Sequence, residues 1–319
     1  MADAITLSAC CEDAVRAGRL RVDVARTIDA MAKAAIEIEA LIVLGALAGA
    51  MSEMVGTNSD GDTQKVLDVR TNDIVMAALK GAPVAEVASE ESEEIVILDR
   101  TATLAVAMDP LDGSSNIDAN MSVGTIFSIV PFDATAKGPL GSFGASGDAQ
   151  LAAAFVVYGP QTTLVLTFGQ GVDIFTLDRR DGAFKRTKRN VRVAEGTREF
   201  AINASNYRHW DAPVRTYFDD CINGKDGIRD QNFNTRWHGA MVAEAFRIVQ
   251  KGGIFLYPGD ARPGYEQGRL RLLYEAAPVA FLMEQAGGMA STGRERILDI
   301  KATSIHQRVP LIFGAADKV

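Results

Sequence analysis

The chain has 319 residues, enough for two domains or one large α/β unit with a substantial core. Apolar residues make up 47% and charged residues 23%, which excludes a disordered or low-complexity polypeptide. A net charge of -8 argues against sequence-independent nucleic-acid binding, although metals and a few arginines can still draw phosphates to an acidic protein.

In chain order, Val24, Ile28, Met31, Ala35, Ile38 and Ile42 recur at helical spacing and predict a long amphipathic helix, apolar on all sides toward Leu47. A polar, glycine-bearing loop follows from Val55 to Lys65, then a second helix from about Asp68 to Lys80, ended by Gly81 and Pro83. Val84 to Ser89, Ile95 to Leu98 and Leu104 to Met108 read as strands, with the acidic run Glu90 to Glu94 after the first. Strands are expected at Gly124 to Val130, Ala152 to Tyr158, Thr162 to Thr167 and Val172 to Leu177, with a surface loop over Pro139 to Gly147. The texture changes near Asn190 to Arg198, and a domain boundary is expected there, dividing 1–194 from 195–319. The second part alternates a helix from about His238 to Lys251, a strand Gly253 to Tyr257 and a helix through Glu275 to Ala286. The class is mixed α/β, without repeats.

Cys10, Cys11 and Cys221 have no zinc or redox spacing and read as free thiols in a reducing compartment. No signal peptide is visible, and the longest apolar run, Ala40 to Met51, is too short to span a bilayer. A cytoplasmic protein without a membrane partner is expected.

The chemistry is concentrated in Asp109-Pro110-Leu111-Asp112-Gly113-Ser114-Ser115-Asn116. Asp109, Asp112 and the Leu111 carbonyl offer oxygens suited to hard divalent cations. Gly113, Ser114 and Ser115 can bring N–H groups and hydroxyls to a phosphate. The preceding apolar run places the octet at a strand's C-terminal end, where open α/β sheets bind ligands, and Pro110 is expected to stop that strand. Glu90-Glu91 closes another strand, Asp68 opens the second helix behind the loop holding Asp62, and Pro278 places Glu275 near a helix N-terminus. Clustered carboxylates repel, and cations relieve the repulsion, so these acids together suggest a two- or three-cation site for phosphate-ester hydrolysis.

These motifs resemble class I fructose-1,6-bisphosphatases. The resemblance is carried by Gly61-Asp62 through Leu67-Asp68, Ser89-Glu90-Glu91, the run Asp109 to Asp118, Gly252 to Pro258, Arg269 to Pro278, Asp299-Ile300 and Ile305 to Arg308. It implies the layered fold of the inositol monophosphatase and fructose bisphosphatase superfamily, with alternating helix and sheet layers. It also implies hydrolysis of the 1-phosphate of fructose 1,6-bisphosphate with two or three Mg2+ (or Mn2+) per subunit. Glu90, Asp109, the Leu111 carbonyl, Asp112 and Glu275 would hold the metals. Glu91 and Asp68 would position and deprotonate the attacking water, and Asp62 would ride on a loop that closes over the site. Gly113, Ser114 and Ser115 would hold the 1-phosphate. Asn203, Tyr207, Tyr257 and Arg269 would bind the 6-phosphate, with Arg271 near the sugar or the 1-phosphate. Arg236 would reach in from a neighbouring subunit of a homo-oligomer, usually a tetramer.

The chain departs from the family pattern in places. Arg269 stands where Lys is frequent, Trp237 replaces a phosphate-contacting Tyr, and an extra residue precedes Tyr207. Thr103-Leu104 replaces the Lys-Tyr of AMP-inhibited members, and the Gly-Thr-Gly-Glu turn is missing near Gly18 to Val24, so weak or absent AMP inhibition is expected. Trp210-Asp211 lacks the context of an inositol-phosphatase metal motif and reads as surface structure; His209, His238 and His306 read as structural. The rival readings are a sedoheptulose-1,7-bisphosphatase or dual-specificity enzyme, an inositol or nucleotide 3′-phosphatase, and a non-catalytic sugar-phosphate-binding regulator.

Overall fold

The computed structural model describes residues 5–49, 53–57 and 63–319. The chain begins with helices α1 (Leu7–Arg16) and α2 (Val22–Leu44), followed by a two-stranded ribbon of β1 (Met54–Thr57) and β2 (Thr63–Lys65), and then α3 (Val66–Lys80). An eight-stranded sheet comes next. It contains β3 (Val84–Ser89), β4 (Val96–Ile97), β5 (Leu104–Asp112), β6 (Val123–Pro131), β7 (Ala152–Tyr158), β8 (Thr162–Thr167), β9 (Asp173–Asp178) and β10 (Ala183–Lys188), in the order β10-β9-β8-β7-β6-β5-β3-β4. The β3–β5 pair is parallel and every other neighbouring pair in this sheet is antiparallel.

The later part holds β11 (Glu199–Ile202), α4 (Ala212–Asn223), β12 (Asn234–Thr235), α5 (Met241–Lys251), β13 (Ile254–Tyr257), β14 (Leu270–Arg271), α6 (Ala277–Gln285), β15 (Gly288–Ser291), β16 (Arg308–Val309) and β17 (Leu311–Ala315). A second sheet has the order β12-β11-β13-β17-β15, and β14 pairs with β16 separately.

Period-two alternation assigns the faces of the large sheet. Phe127, Ile129, Ala154, Val156, Leu164 and Leu166 join the core with α1, α2 and α3, including Val24, Ile28, Met31, Ala35 and Ile38 of the predicted stripe. Ile126, Ala153, Phe155, Val157 and Val165 face the other way, onto α5 and α6. Ala201, Phe255 and Phe313 of the second sheet complete that core, while Phe200, Ile202, Ile254 and Leu256 pack on α4. The result is helix, sheet, helix, sheet and helix in succession.

Three expectations are corrected. The 139–147 segment is not a bare surface loop: Phe143 is buried, and the Ser142 N–H and hydroxyl both donate to Glu86 Oε2 (3.0 and 2.8 Å). The helix expected from His238 starts at Met241, because Gly239 adopts a positive φ of 89°.

Pro110, finally, does not stop its strand. Asp109 pairs with Ile126 and Asp112 with Gly124, so β5 advances three residues while β6 advances two. That is a β-bulge, a position where proline is tolerated. The bulge has a chemical consequence. On a regular strand, residues three apart point to opposite faces. One extra residue reverses that parity and turns Asp109 and Asp112 to the same side.

A candidate active site at the end of the parallel strand pair

The site lies at the C-terminal ends of β3 and β5, the only parallel neighbours among the described strands of the large sheet. Glu90 follows β3 directly, and its N–H donates to the Met108 carbonyl (3.1 Å), fixing it beside β5. Carboxylate oxygens of Asp109, Asp112 and Glu275 all lie within 4.8 Å of one another, and all three residues are buried. Glu90 hydrogen-bonds to Asp109 and feels the charges of Glu275 and Glu91. The four carboxylates expected to hold metal therefore converge, although they come from positions up to 185 residues apart (275 − 90).

Three of the four carboxylates are held by backbone N–H groups. The Leu111 N–H donates to Asp109 Oδ1 (2.8 Å), and the Arg271 N–H donates to Glu275 Oε2. Asp112 accepts from the Val242 N–H (2.9 Å) and from Met241. These are the first N–H groups of α5, whose own N-cap, Ala240, offers no side-chain partner. Asp112 thus caps a helix from 130 residues away, and the positive end of the helix dipole steadies its negative charge. Two glycines allow the approach. A Cβ on Gly113 would sit 2.5 Å from the Ala240 Cβ, and one on Gly124 would meet Val242 Cγ2 at 2.6 Å. Gly113 also has a φ of 75°, which a side chain would strain.

The cluster is electrostatically costly as bare carboxylates. Two unit charges about 4 Å apart repel by about 4 kcal/mol at the effective dielectric of a protein site. Burial, reinforced by the Glu275 charge, pushes Glu90 up to about 8, although part of its surface faces solvent. Burial likewise pushes Asp112 up to about 7, and raises Asp109 together with the charges of Glu90, Asp112 and Glu275. An all-oxygen, buried, mutually repelling donor set matches a hard divalent cation and does not suit soft or thiophilic metals.

Around this set the other expected residues fall at different distances from the chemistry. Asp68 is buried at the start of α3; it accepts from the Lys65 N–H (2.7 Å) and from Ser114, which ties it to the Gly113-Ser114-Ser115 turn. Burial raises its pKa. Glu91 adjoins Glu90, with its N–H donating to Ser89 Oγ (3.2 Å). Arg271 is buried, and its positive charge is felt by Glu90 and Tyr274, so it faces the acids. Asp62 lies outside the described residues.

Farther out, the Arg269 guanidinium lies over the Tyr265 ring (4.7 Å), as does Arg262 (4.5 Å), and Tyr257 adjoins Trp237 (centroids 5.8 Å apart). Asn203 Oδ1 accepts from Ser205 within its own turn, and the Tyr207 hydroxyl donates to Asp219 Oδ2 (2.9 Å). Both are engaged locally. Arg236 pairs with Glu199 (3.3 Å) on the edge strand side of the second sheet. Asp211 caps α4 through the Val214 N–H, and Trp210 is buried rather than superficial; both are structural.

Several neighbours of the site were not singled out by sequence. The Lys65 amine reaches the Ser114 carbonyl (3.3 Å) and Asp118 (3.0 Å), so it sits against the Ser114 turn. Tyr265 carries both Arg262 and Arg269 on its ring. The Lys65 position, immediately before α3, is the one signal that was available.

The chain matches the family models "Fructose-1-6-bisphosphatase, N-terminal domain" over residues 5–189 and "Fructose-1-6-bisphosphatase, C-terminal domain" over residues 193–319. It is 58% identical over 320 aligned residues to a "Fructose-1,6-bisphosphatase class 1" of Rhodopseudomonas palustris (strain BisB18), covering 100% of this chain and 92% of that one. It is 59% identical over 300 residues to a "Fructose-1,6-bisphosphatase class 1 1" of Nitrobacter hamburgensis, covering 94% and 86%. A crystal structure of Leishmania major fructose-1,6-bisphosphatase in holo form superposes with a TM-score of 0.91 at 34% identity, covering 99% of this chain and 96% of that one. With the same layered fold, both halves matched and the relatives aligned over nearly the full length, the chain belongs to the class 1 fructose-1,6-bisphosphatase family and is a phosphoric monoester hydrolase.

Proposed function

We propose that the protein hydrolyses the 1-phosphate of fructose 1,6-bisphosphate to fructose 6-phosphate, using Mg2+. One observation carries this reading: Glu90, Asp109, Asp112 and Glu275 meet at one point with Arg271 beside them. Bound Mg2+ would polarise the phosphoryl oxygens and lower the pKa of the attacking water. The chain's own residues then have distinct tasks. Glu90, Asp109, Asp112, Glu275 and the Leu111 carbonyl hold the cations, two or three per chain. Ser114, Ser115 and the Gly113 backbone orient the 1-phosphate. Asp68 and Glu91 hold the water and accept its proton, and the raised pKa of Asp68 suits it to that role. Tyr257 and Arg269 take the far phosphate, with Asn203 and Tyr207 assigned there by motif and Arg271 nearer the sugar. Asp62 is assigned to a loop that closes over the site.

Exposed Val43 and Leu44 at the end of α2, and Leu47 in the turn after it, support an assembly, proposed as a tetramer in which Arg236 serves a neighbouring site. The Thr103 hydroxyl donates to Asp23 of α2 (2.5 Å), so it takes a structural place, in keeping with weak or absent AMP inhibition. The proposed division into units falls at 194/195. No helix among the described residues is long and apolar enough to cross a membrane, and a cytoplasmic location is proposed.

The test is phosphate release from fructose 1,6-bisphosphate and sedoheptulose 1,7-bisphosphate during a Mg2+ titration begun in chelator. Turnover of the fructose ester that starts only with added metal is the expected result. Release that ignores chelator, or release from neither sugar, overturns the reading. Preference for the seven-carbon sugar would transfer the assignment to it. In the same assay Glu91→Gln is expected to bind substrate but turn over at least ~100-fold more slowly. Near-normal turnover would remove Glu91 from proton transfer.

A further inference from the structure

Glu275 is the one acid of the cluster that does not come from the ends of the parallel strands. It is carried by a π-helical turn, Leu272–Ala276, placed between β14 and α6. Such turns are rare and collect at functional sites, where tertiary contacts hold a geometry the backbone does not prefer. The contacts that hold this one come from the segment 303–309. The Leu272 N–H donates to the Gln307 carbonyl (2.7 Å), and β14 pairs with β16 through Leu270–Val309 and Arg271–Arg308. Gln307 Oε1 is itself fixed by the Thr303 N–H (2.6 Å) and hydroxyl (2.9 Å). Tyr274, inside the turn, is wholly buried with Ile305, Ala88, Ala105, Ala107 and Phe143, against the strands that carry Glu90 and Asp109. Its phenol oxygen lies 2.8 Å from His306 Nδ1.

We infer that His306, acting through the Tyr274 phenol, is a positioning residue that holds the Glu275 carboxylate on the cation cluster. The physical case is one of register. If the π-turn relaxed to α-helical winding, one residue of register would be lost and the Glu275 side chain would swing by about 100° around the helix axis. The hydrophobic packing of Tyr274 alone does not forbid a small slide of the turn. The phenol–imidazole bond does, because His306 is anchored on a segment that is hydrogen-bonded on both sides of it. The inference deepens the proposed metal-dependent reading and rests on it.

The experiment is Mn2+ binding to the intact, substrate-free protein, followed by electron paramagnetic resonance of the free ion. It is paired with kcat and KM for fructose 1,6-bisphosphate at saturating Mg2+. Tyr274→Phe removes the hydroxyl and keeps the packing volume, so folding is retained; a thermal melt checks this. Outer-sphere partners of metal ligands typically contribute 10- to 100-fold in affinity, so Tyr274→Phe and His306→Leu are each expected to weaken Mn2+ binding about 10-fold. The double variant should be no worse than about 10-fold, because both changes cut the same bond. His306→Gln, which keeps a hydrogen-bonding group, should recover most of the affinity. KM at saturating metal should stay within about twofold of wild type, since neither group touches substrate. Unchanged Mn2+ affinity in Tyr274→Phe, or losses that multiply in the double variant, overturns the inference. Asp109→Asn is the control. If it too leaves Mn2+ binding intact, the metal assignment falls and the inference with it. If it abolishes binding while Tyr274→Phe does not, only the inference falls.

Discussion

Asp109→Asn is expected to lower kcat/KM for the bisphosphate by at least ~10^3-fold at saturating Mg2+, since metal stabilisation of a phosphoryl-transfer transition state is worth several kcal/mol and each 1.36 kcal/mol is tenfold. The substitution is nearly isosteric. Asn can still accept the Leu111 N–H through its carbonyl oxygen, so the bulge in β5 keeps its internal bond. What is lost is one negative charge at the point where Glu90, Asp112 and Glu275 meet. The same loss should stabilise the metal-free protein, because it removes one partner from a buried set of like charges. Phosphate release and the melting temperature in chelator are therefore expected to move in opposite directions. A variant that is slow and also less stable without metal would point to a packing defect instead. Turnover within tenfold of wild type would take Asp109 out of the metal set.

The opposite signs follow from how the site is built, and that is also why only part of it was legible in the sequence. Strands with an apolar run or strict alternation, such as Ala152–Tyr158 and Thr162–Thr167, coincide with their expected limits because burial on one or both faces leaves its own pattern. The acids were legible because carboxylates next to Pro, Gly and Ser at strand ends serve no packing purpose. The short strands β11, β12, β14 and β16 were not, since each is fixed by its pairing partner rather than by a pattern of its own. Nor was the bulge: Pro110 announces a break in the ladder, but whether the strand stops or takes in one extra residue depends on pairing with Gly124 across the sheet. The cap that Asp112 gives α5 joins residues 130 apart, and the π-turn at Glu275 is bonded to a segment some thirty residues later. Sequence pattern names the donors, whereas tertiary contacts set the direction in which they point. Tyr207 and Asn203 mark the same limit from the other side, Asn203 being taken up by Ser205 in its own turn and Tyr207 by Asp219 of α4.

The pH response of the metal-free protein is the second large effect. Burial pushes Glu90 up to about 8 and Asp112 up to about 7, with Asp109 raised as well. Carboxylates in the unfolded chain titrate near pH 4, so between these limits the folded state keeps protons that the unfolded state has released. The stability from these groups is full below the unfolded pKa and is lost as pH rises through the folded values. In chelator the melting temperature should therefore fall between about pH 4 and about pH 8. Mg2+ binds the deprotonated form, so the gain in melting temperature on adding metal should grow over the same interval. Binding at pH 7 should release roughly one to two protons per chain, measurable by calorimetry in buffers of different ionisation enthalpy. Asp109→Asn provides the internal comparison. General self-repulsion in this acidic chain acts on both proteins almost alike, whereas the cluster's share is reduced only in the variant. A shallower fall in the variant assigns the slope to the cluster. Equal slopes, or a metal-free wild type whose stability is flat or rises with pH, would mean that the four carboxylates do not share one desolvated site.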